Sequence, residues 1–406
     1  MGIGLDASAN TEEVVVDLEM EMTGTIEFDI DKTQRDFPIH IVFCIDTSGS
    51  MSASIDADGL TDALLNRGSG TPKIEVAKEG VIKASQQLSS DDRFGVVAFS
   101  SSARTVVSST PGNKARRVKS NVESLSSGGG TDIQAGLQTS KDLLDEMGRT
   151  DAIKWIVLVS DGKGSVPSDR QLRQRYSEQG VTIQAAGVGD DYDPDTLMNV
   201  AQQTQGESEH IKSGKGLRKF FREKVTDARN VVALDPELEL TPTEATSIRE
   251  VYYTLGEQQS MVDPEWRGDT CVIDLADVNQ EKPPKVMLDL QVEADRADLD
   301  VPVVEATLTT KSDRVSDRIL VDVVTEHLVD DVTAKPAKNE SVIVSELVSI
   351  AQRQGASSAL SELEDYRDEI ASDTYRETKA RLEELRTDDS GEATAKVSRL
   401  PSKLDK

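Results

Sequence analysis

Six short apolar runs, near residues 38–45, 93–99, 103–108, 154–160, 181–188 and 208–212, alternate with segments whose apolar residues recur at spacings of three and four. No other property of the chain limits its fold as much. A continuous β-branched run is a strand buried on both faces, and an amphipathic helix of matching length is the cover it needs. The helical segments are KIEVAKEGVIKASQQL, NKARRVKSNVESL, TDIQAGLQTSKDLLDEM, PSDRQLRQRYSEQ and DPDTLMNVAQQT. The alternation predicts an α/β fold with a doubly wound, mostly parallel sheet. ARTVVSS follows its neighbour too closely for a crossover, so it is expected to form an antiparallel edge. Asp193 and Pro194 read as a helix start, with a capping carboxylate and a proline in the first turn.

Chemistry gathers at the carboxyl ends of these strands, where open α/β sheets bind their ligands. The run IVFCIDTSGSMS places Asp46, Ser48 and Ser50 at alternate positions of what should be one extended turn. SSGGGTDI carries Thr131 and Asp132 through three glycines into a helix, and KWIVLVSDGKG ends a strand at Asp161, with Gly162 and Gly164 leaving room for close approach. Singly, Asp46 and Ser50 read as caps or turn residues. Together, Asp46, Ser48, Ser50, Thr131 and Asp161 offer the oxygen ligands that a hard divalent cation requires. Three neutral hydroxyls would leave such an ion electron-poor and ready for an outside anion.

These residues resemble the metal-ion-dependent adhesion site of the von Willebrand factor A family, whose pattern is Asp-x-Ser-x-Ser, then a Thr, then an Asp. The resemblance covers roughly residues 36 to 212. It implies that the two serines and the threonine contact a magnesium ion, with manganese or calcium as alternatives, and that the carboxylates act largely through water. It implies a position left open for an Asp or Glu of a partner protein, and a β-sandwich beside the metal domain. Family members also serve as accessory subunits of ring ATPases, which stays open as an alternative. One departure from the compact pattern is the insertion SASIDADGLTDALLNRGSGTP between Met51 and Lys73, read as a polar loop or as part of the rim a partner touches.

Catalytic alternatives are poorly served. Only His40, His210 and His327 are present, outside any nucleophile or zinc pattern, and there is no GxSxG elbow or phosphate loop. The expectation is a non-enzymatic interaction module, with a metal-assisted hydrolase of phosphate esters as the competing reading. A net charge of −28 argues against nucleic acid as a partner. The acidic coat looks like that of a protein from a high-salt cytoplasm, or like an acidic face for a basic partner. Cys44 and Cys271 are expected as free thiols, and neither a signal peptide nor a membrane-spanning run is recognised, so a cytoplasmic location is expected.

Flanking segments change period. VVVDLEMEMTGTIEFDID alternates, with Val16, Leu18, Met20 and Met22 on one side. IREVYYTLG, DTCVIDLADV, KVMLDLQVEAD, VVEATLTTK and DRILVDVVTE follow the same rule. Such strands predict an antiparallel β-sandwich built from both ends of the chain. The expected organisation is strands over 1–35 joining the sandwich, a metal domain over 36–230, the sandwich over 231–335, a helical segment over 336–387 and a disordered tail over 388–406.

Overall fold

Every residue from Ile39 to Asp46 is buried, and this strand sits inside the main sheet of the computed structural model. The structure describes residues 3–10, 13–16, 18–30, 37–55, 70–160, 164–189, 193–255, 258–262, 264–311, 314–324 and 356–367, with residues 347, 351, 375–376, 378–380 and 382–383. By their contacts they form two units: Gln34–Leu234, and Met1–Thr33 together with Asp235–Lys406.

In the Gln34–Leu234 unit the strands are β1 (Ile39–Asp46), β2 (Arg93–Phe99), β3 (Ala103–Pro111), β4 (Ile153–Ser160), β5 (Val181–Val188) and β6 (Ser208–Ile211). Their order is β6-β5-β4-β1-β2-β3, parallel throughout except that β3 runs against β2. The helices are α1 (Lys73–Ser85), α2 (Lys119–Glu123), α3 (Ile133–Met147), α4 (Asp169–Arg175), α5 (Pro194–Gln202) and α6 (Gly214–Arg229). Successive side chains of a strand point to opposite faces. Ile39, Ile41, Phe43 and Ile45 therefore pack with Ile74, Val81, Phe220 and Phe221 of α1 and α6. Val42 and Cys44 pack with Leu137, Leu144, Leu172 and Val200 of α3, α4 and α5. Each large aliphatic side chain buried this way stabilises the fold by about 1.5–3 kcal/mol. The chain moves outward from β1 to β2 and β3, then returns to β4 on β1's other side. That reversal opens a crevice beyond the carboxyl ends of β1 and β4.

Local signals explain most boundaries. Asp132 caps α3 by accepting the Ala135 N–H, and Asp193 caps α5 by accepting the Thr196 N–H. α4 begins where the Gln171 carboxamide accepts the Ser168 N–H. The segment NKARRVKSNVESL does not make the single helix its period predicts. It starts as a 3-10 turn over Gly112–Val118 and is α-helical only over Lys119–Glu123. The Gly112 N–H is fixed to the Asp92 carbonyl, and Lys114, Arg116, Arg117 and Lys119 crowd like charge into the first turns. The insertion after Met51 is closed at its base, where Ser54 and Ile55 pair antiparallel with Pro72 and Thr71. Residues 56–69 lie outside the described residues.

The other unit holds two sheets. One has five strands in the order Ile3–Ala9, Glu19–Ile30, Lys285–Glu293, Thr246–Leu255 and Gln258–Val262. The second has six, in the order Glu265–Arg267, Thr270–Asp274, Glu237–Pro242, Asp298–Thr309, Arg314–Val324 and Glu13–Val15. Strands from the start of the chain thus pair with strands more than two hundred residues away. The Ala7 N–H donates to the Asp317 carboxylate at 2.9 Å, joining one sheet to the other. The early alternation is not continuous. Between Val15 and Glu19 the Leu18 N–H returns to the Val15 carbonyl, and Leu18 is 43% exposed rather than sharing the buried side of Met20 and Met22. Of the expected C-terminal helices, ASSALSELED forms one over Ala356–Asp365, whereas nearly all of VIVSELVSIAQRQ lies outside the described residues. Among the described residues no helix is long and apolar enough to cross a membrane.

Candidate metal centre

Asp46 ends β1 beside the crevice and is fully buried. Its Oδ1 accepts the Ser48 N–H at 2.7 Å and its Oδ2 accepts the Ser160 hydroxyl at 2.6 Å. Two donors on separate oxygens fix the plane of the carboxylate, and hydrogen bonds to an ion are the stronger kind. The chain then makes a 3-10 turn over Gly49–Ser52, pinned by Met51, which is fully buried. A tight turn replaces the extended one expected from the alternation. It folds Ser50 back so that the Ser48 and Ser50 hydroxyl oxygens lie 2.9 Å apart, with Ser48 buried and Ser50 exposed.

Two further loops are fastened to this turn by backbone hydrogen bonds. The Thr47 N–H and hydroxyl both donate to the Phe99 carbonyl, at 2.7 and 2.8 Å. The Gly128 N–H donates to the Thr47 carbonyl at 2.7 Å, and the Gly49 N–H donates to the Gly129 carbonyl at 3.1 Å. The glycine loop before Thr131 is thereby tied on both sides of Ser48. Asp132 donates its N–H to the Ser100 carbonyl at 2.6 Å, and its carboxylate accepts the Ser165 hydroxyl at 3.1 Å. At residue 164 the third loop passes so near Thr131 that a Cβ would stand 2.7 Å from the threonine carbonyl oxygen, so only glycine fits.

Asp46, Ser48 and Ser50 are therefore brought together, and the Thr131 loop is laid against them. Asp161 lies outside the described residues. Ser160 and Thr47 are contributors that the sequence reading passed over. Ser160 looks like the polar end of an apolar strand, and its bond to Asp46 spans 114 positions.

The donor set suits a small hard cation. In an octahedral shell with bonds of about 2.0–2.1 Å, neighbouring oxygens lie about 2.8–3.0 Å apart. The Ser48 and Ser50 oxygens have that separation. Among the described residues no group of three or more His, Cys, Asp or Glu could hold a metal ion. Cys44, behind the site, is no competing ligand, because burial, with Asp46 nearby, pushes its thiol up to about 12.

Comparison with known proteins agrees with the fold. Residues 41–163 match the family model of the von Willebrand factor type A domain. A solved von Willebrand factor type A protein from Catenulispora acidiphila superposes with a TM-score of 0.71 at 19% identity, covering 98% of this chain and 96% of that one. The uncharacterized protein sll0103 of Synechocystis is 26% identical over 59% of this chain and 52% of its own length. Inter-alpha-trypsin inhibitor heavy chain H2 of Mesocricetus auratus is 26% identical over 60% of this chain and 26% of its own length. The chain thus spans about half, or less, of these curated relatives. Residues 41–163, within the Gln34–Leu234 unit, are thus similar to the von Willebrand factor type A domain by family model, and the chain shares the fold of a solved protein of that type.

Proposed function

We propose that this unit is a non-enzymatic, metal-dependent interaction module that grips an Asp or Glu of a partner protein. The observation that carries the reading is the hydroxyl pair of Ser48 and Ser50, 2.9 Å apart and adjoining a buried carboxylate. Asp46, Ser48, Ser50 and Thr131, with Asp161, would hold the ion. Magnesium suits the spacing best, manganese next, and calcium, with longer bonds, least. When bound, the ion supplies a positive charge that an outside carboxylate can complete. The chain's own groups do the rest: Ser160 and the Ser48 N–H orient Asp46, the glycine loop braces the turn, and exposed Ser50 leaves the approach open.

Among the described residues, neither Cys44 nor a histidine is set up as an activated nucleophile or its base. Cys44 is held protonated, His210 bonds through Nε2 to the Gly189 carbonyl, and His40 lies at the opposite edge of the sheet. Both cysteines are buried and unpaired, which favours a reducing cytoplasm. The test is titration calorimetry with magnesium, followed by capture of partners from native lysate with and without chelator. Ser48→Ala and Asp46→Asn are expected to lose magnesium uptake and magnesium-dependent capture together, with far-ultraviolet circular dichroism unchanged. Equal capture by parent and variants would overturn the reading.

A further inference from the structure

Five consecutive residues of the other unit, 265 to 269 with the sequence EWRGD, are all exposed. They end a hairpin: Glu265–Arg267 pairs antiparallel with Thr270–Asp274, and Arg267 stands opposite Thr270, so Gly268 and Asp269 alone make the turn. A two-residue connection needs a left-handed residue, and Gly268 supplies it with a φ of +67°. A Cβ there would meet nothing within 4 Å, so the tip stands clear of its surroundings. The tip is also braced, because the Thr270 and Thr241 hydroxyls lie 3.0 Å apart and tie it to the next strand. A segment held in one shape beforehand loses little freedom when something grips it.

Charge at the tip is divided unequally. Arg267 turns its guanidinium back to Glu237, at 3.0 Å, and to Glu265, at 3.4 Å. The Asp269 carboxylate has no hydrogen bond or ion pair with any other described residue. Trp266 lies opposite buried Cys271, yet it is 49% exposed because its strand is the edge of the sheet. Aromatic side chains are enriched where protein surfaces meet, and here one adjoins a carboxylate that nothing neutralises. The three-residue turn Ser100–Ser102, by contrast, carries only serines. The metal turn of Asp46, Ser48 and exposed Ser50 is complementary, since the ion proposed there takes one outside carboxylate. A two-residue tip is slim enough to bring one between loops. We infer that a second copy of this chain is the partner, its Asp269 completing the shell of the ion and its Trp266 lying against the surface beside it. This rests on the metal-dependent reading above. Two chains of net charge −28 repel at long range, so the copies associate only where the ion bridges them. Because the two contacting surfaces differ, the assembly closes into a ring or runs on as an open chain.

The test is sedimentation velocity over a range of protein concentrations, in magnesium and in chelator, with magnesium uptake measured by calorimetry on the same samples. The parent is expected to gain mass with concentration in magnesium and to be monomeric in chelator. Asp269→Asn keeps the shape of the side chain and removes its charge, so it should take up magnesium like the parent yet associate at least about tenfold more weakly. Mixing separates the two halves of the contact. Ser48→Ala retains the tip and loses a metal hydroxyl, Asp269→Asn the reverse, so an equimolar mixture should form a dimer with one junction although neither variant associates alone. A parent that takes up magnesium and binds a Gly/Ser peptide carrying one Asp, but stays monomeric, overturns the inference and leaves the metal reading standing. Association unchanged in Asp269→Asn, or equal in chelator and magnesium, also overturns it. A parent that takes up no magnesium overturns both. Should Ser48→Ala fail to fold, Ser50→Ala takes its place in the mixture.

Discussion

At the amino edge of the sheet, charges come with their opposites. Asp92 accepts the Ile39 and Ser89 N–H groups and the Ser89 hydroxyl, and pairs with Arg229 of α6; burial alone would raise its pKa, but these partners hold it below the usual carboxylate range. Arg149 grips Asp151 through two hydrogen bonds, of 2.9 and 2.7 Å. Towards the same edge, burial works against the charge of Lys224, yet Glu207 and Glu209 more than offset it and hold the ammonium above its ordinary pKa. At the carboxyl edge the described loops around Asp46 are rich in Ser, Thr and Gly, Asp132 caps α3, and Asp46 accepts hydrogen bonds from the neutral Ser48 N–H and Ser160 hydroxyl. The strands are the same, so the contrast reflects what each end is for. One end satisfies its charges internally and gains stability; the other is the end at which the proposed function places a cation.

That contrast can be broken by mutation. Lys224→Met leaves three carboxylates facing one another and should cost about 3 kcal/mol or more in urea unfolding, whereas Ser50→Ala, at an exposed hydroxyl of the metal turn, should change stability by less than about 1 kcal/mol. Similar losses for the two would end the comparison. His40 sharpens it from another side. It is fully buried, neither ring nitrogen has a hydrogen-bond partner among the described residues, and burial, together with Arg93, Arg149 and Lys154, lowers its pKa to about 4 against a weaker pull from Asp151. The folded state therefore refuses a proton that the unfolded chain accepts near 6.5. Stability from this group is complete above pH 6.5, falls by about 2–3 kcal/mol as pH drops to 4, and is level below. Urea titrations of His40→Leu across that window should lack this component. Ser160→Ala removes a buried donor to a carboxylate and should cost about 1.5–2 kcal/mol in chelator, with magnesium affinity about tenfold weaker. The smallest effect expected is stabilisation of the parent by magnesium, about 1.4 kcal/mol at ten times its dissociation constant, and none in Ser48→Ala.

The sheet was largely legible because its strands carry their own evidence. Residues such as Val181–Val188 are buried on both faces, and an uninterrupted apolar run announces that. The antiparallel edge at Ala103–Pro111 was legible from loop length alone. Where burial was one-sided or charge was crowded, local pattern misled, as at Leu18 and at Gly112–Glu123. At the site, the turn carrying Asp46, Ser48 and Ser50 is local, so its convergence was readable although its 3-10 geometry was not. Ser160 acquires its role from Asp46, brought near only by the sheet order, and no spacing in the sequence encodes that.

The two-residue ribbon that joins Ser54 and Ile55 to Pro72 and Thr71 has a practical consequence for engineering. Because it clamps both stems of the insertion together, α1 and the metal turn receive the same two anchor points whatever lies between them. Closure entropy rises only slowly with loop length. Residues 56–69 can therefore be treated as an exchangeable cassette, open to shortening, tagging or replacement by a binding epitope.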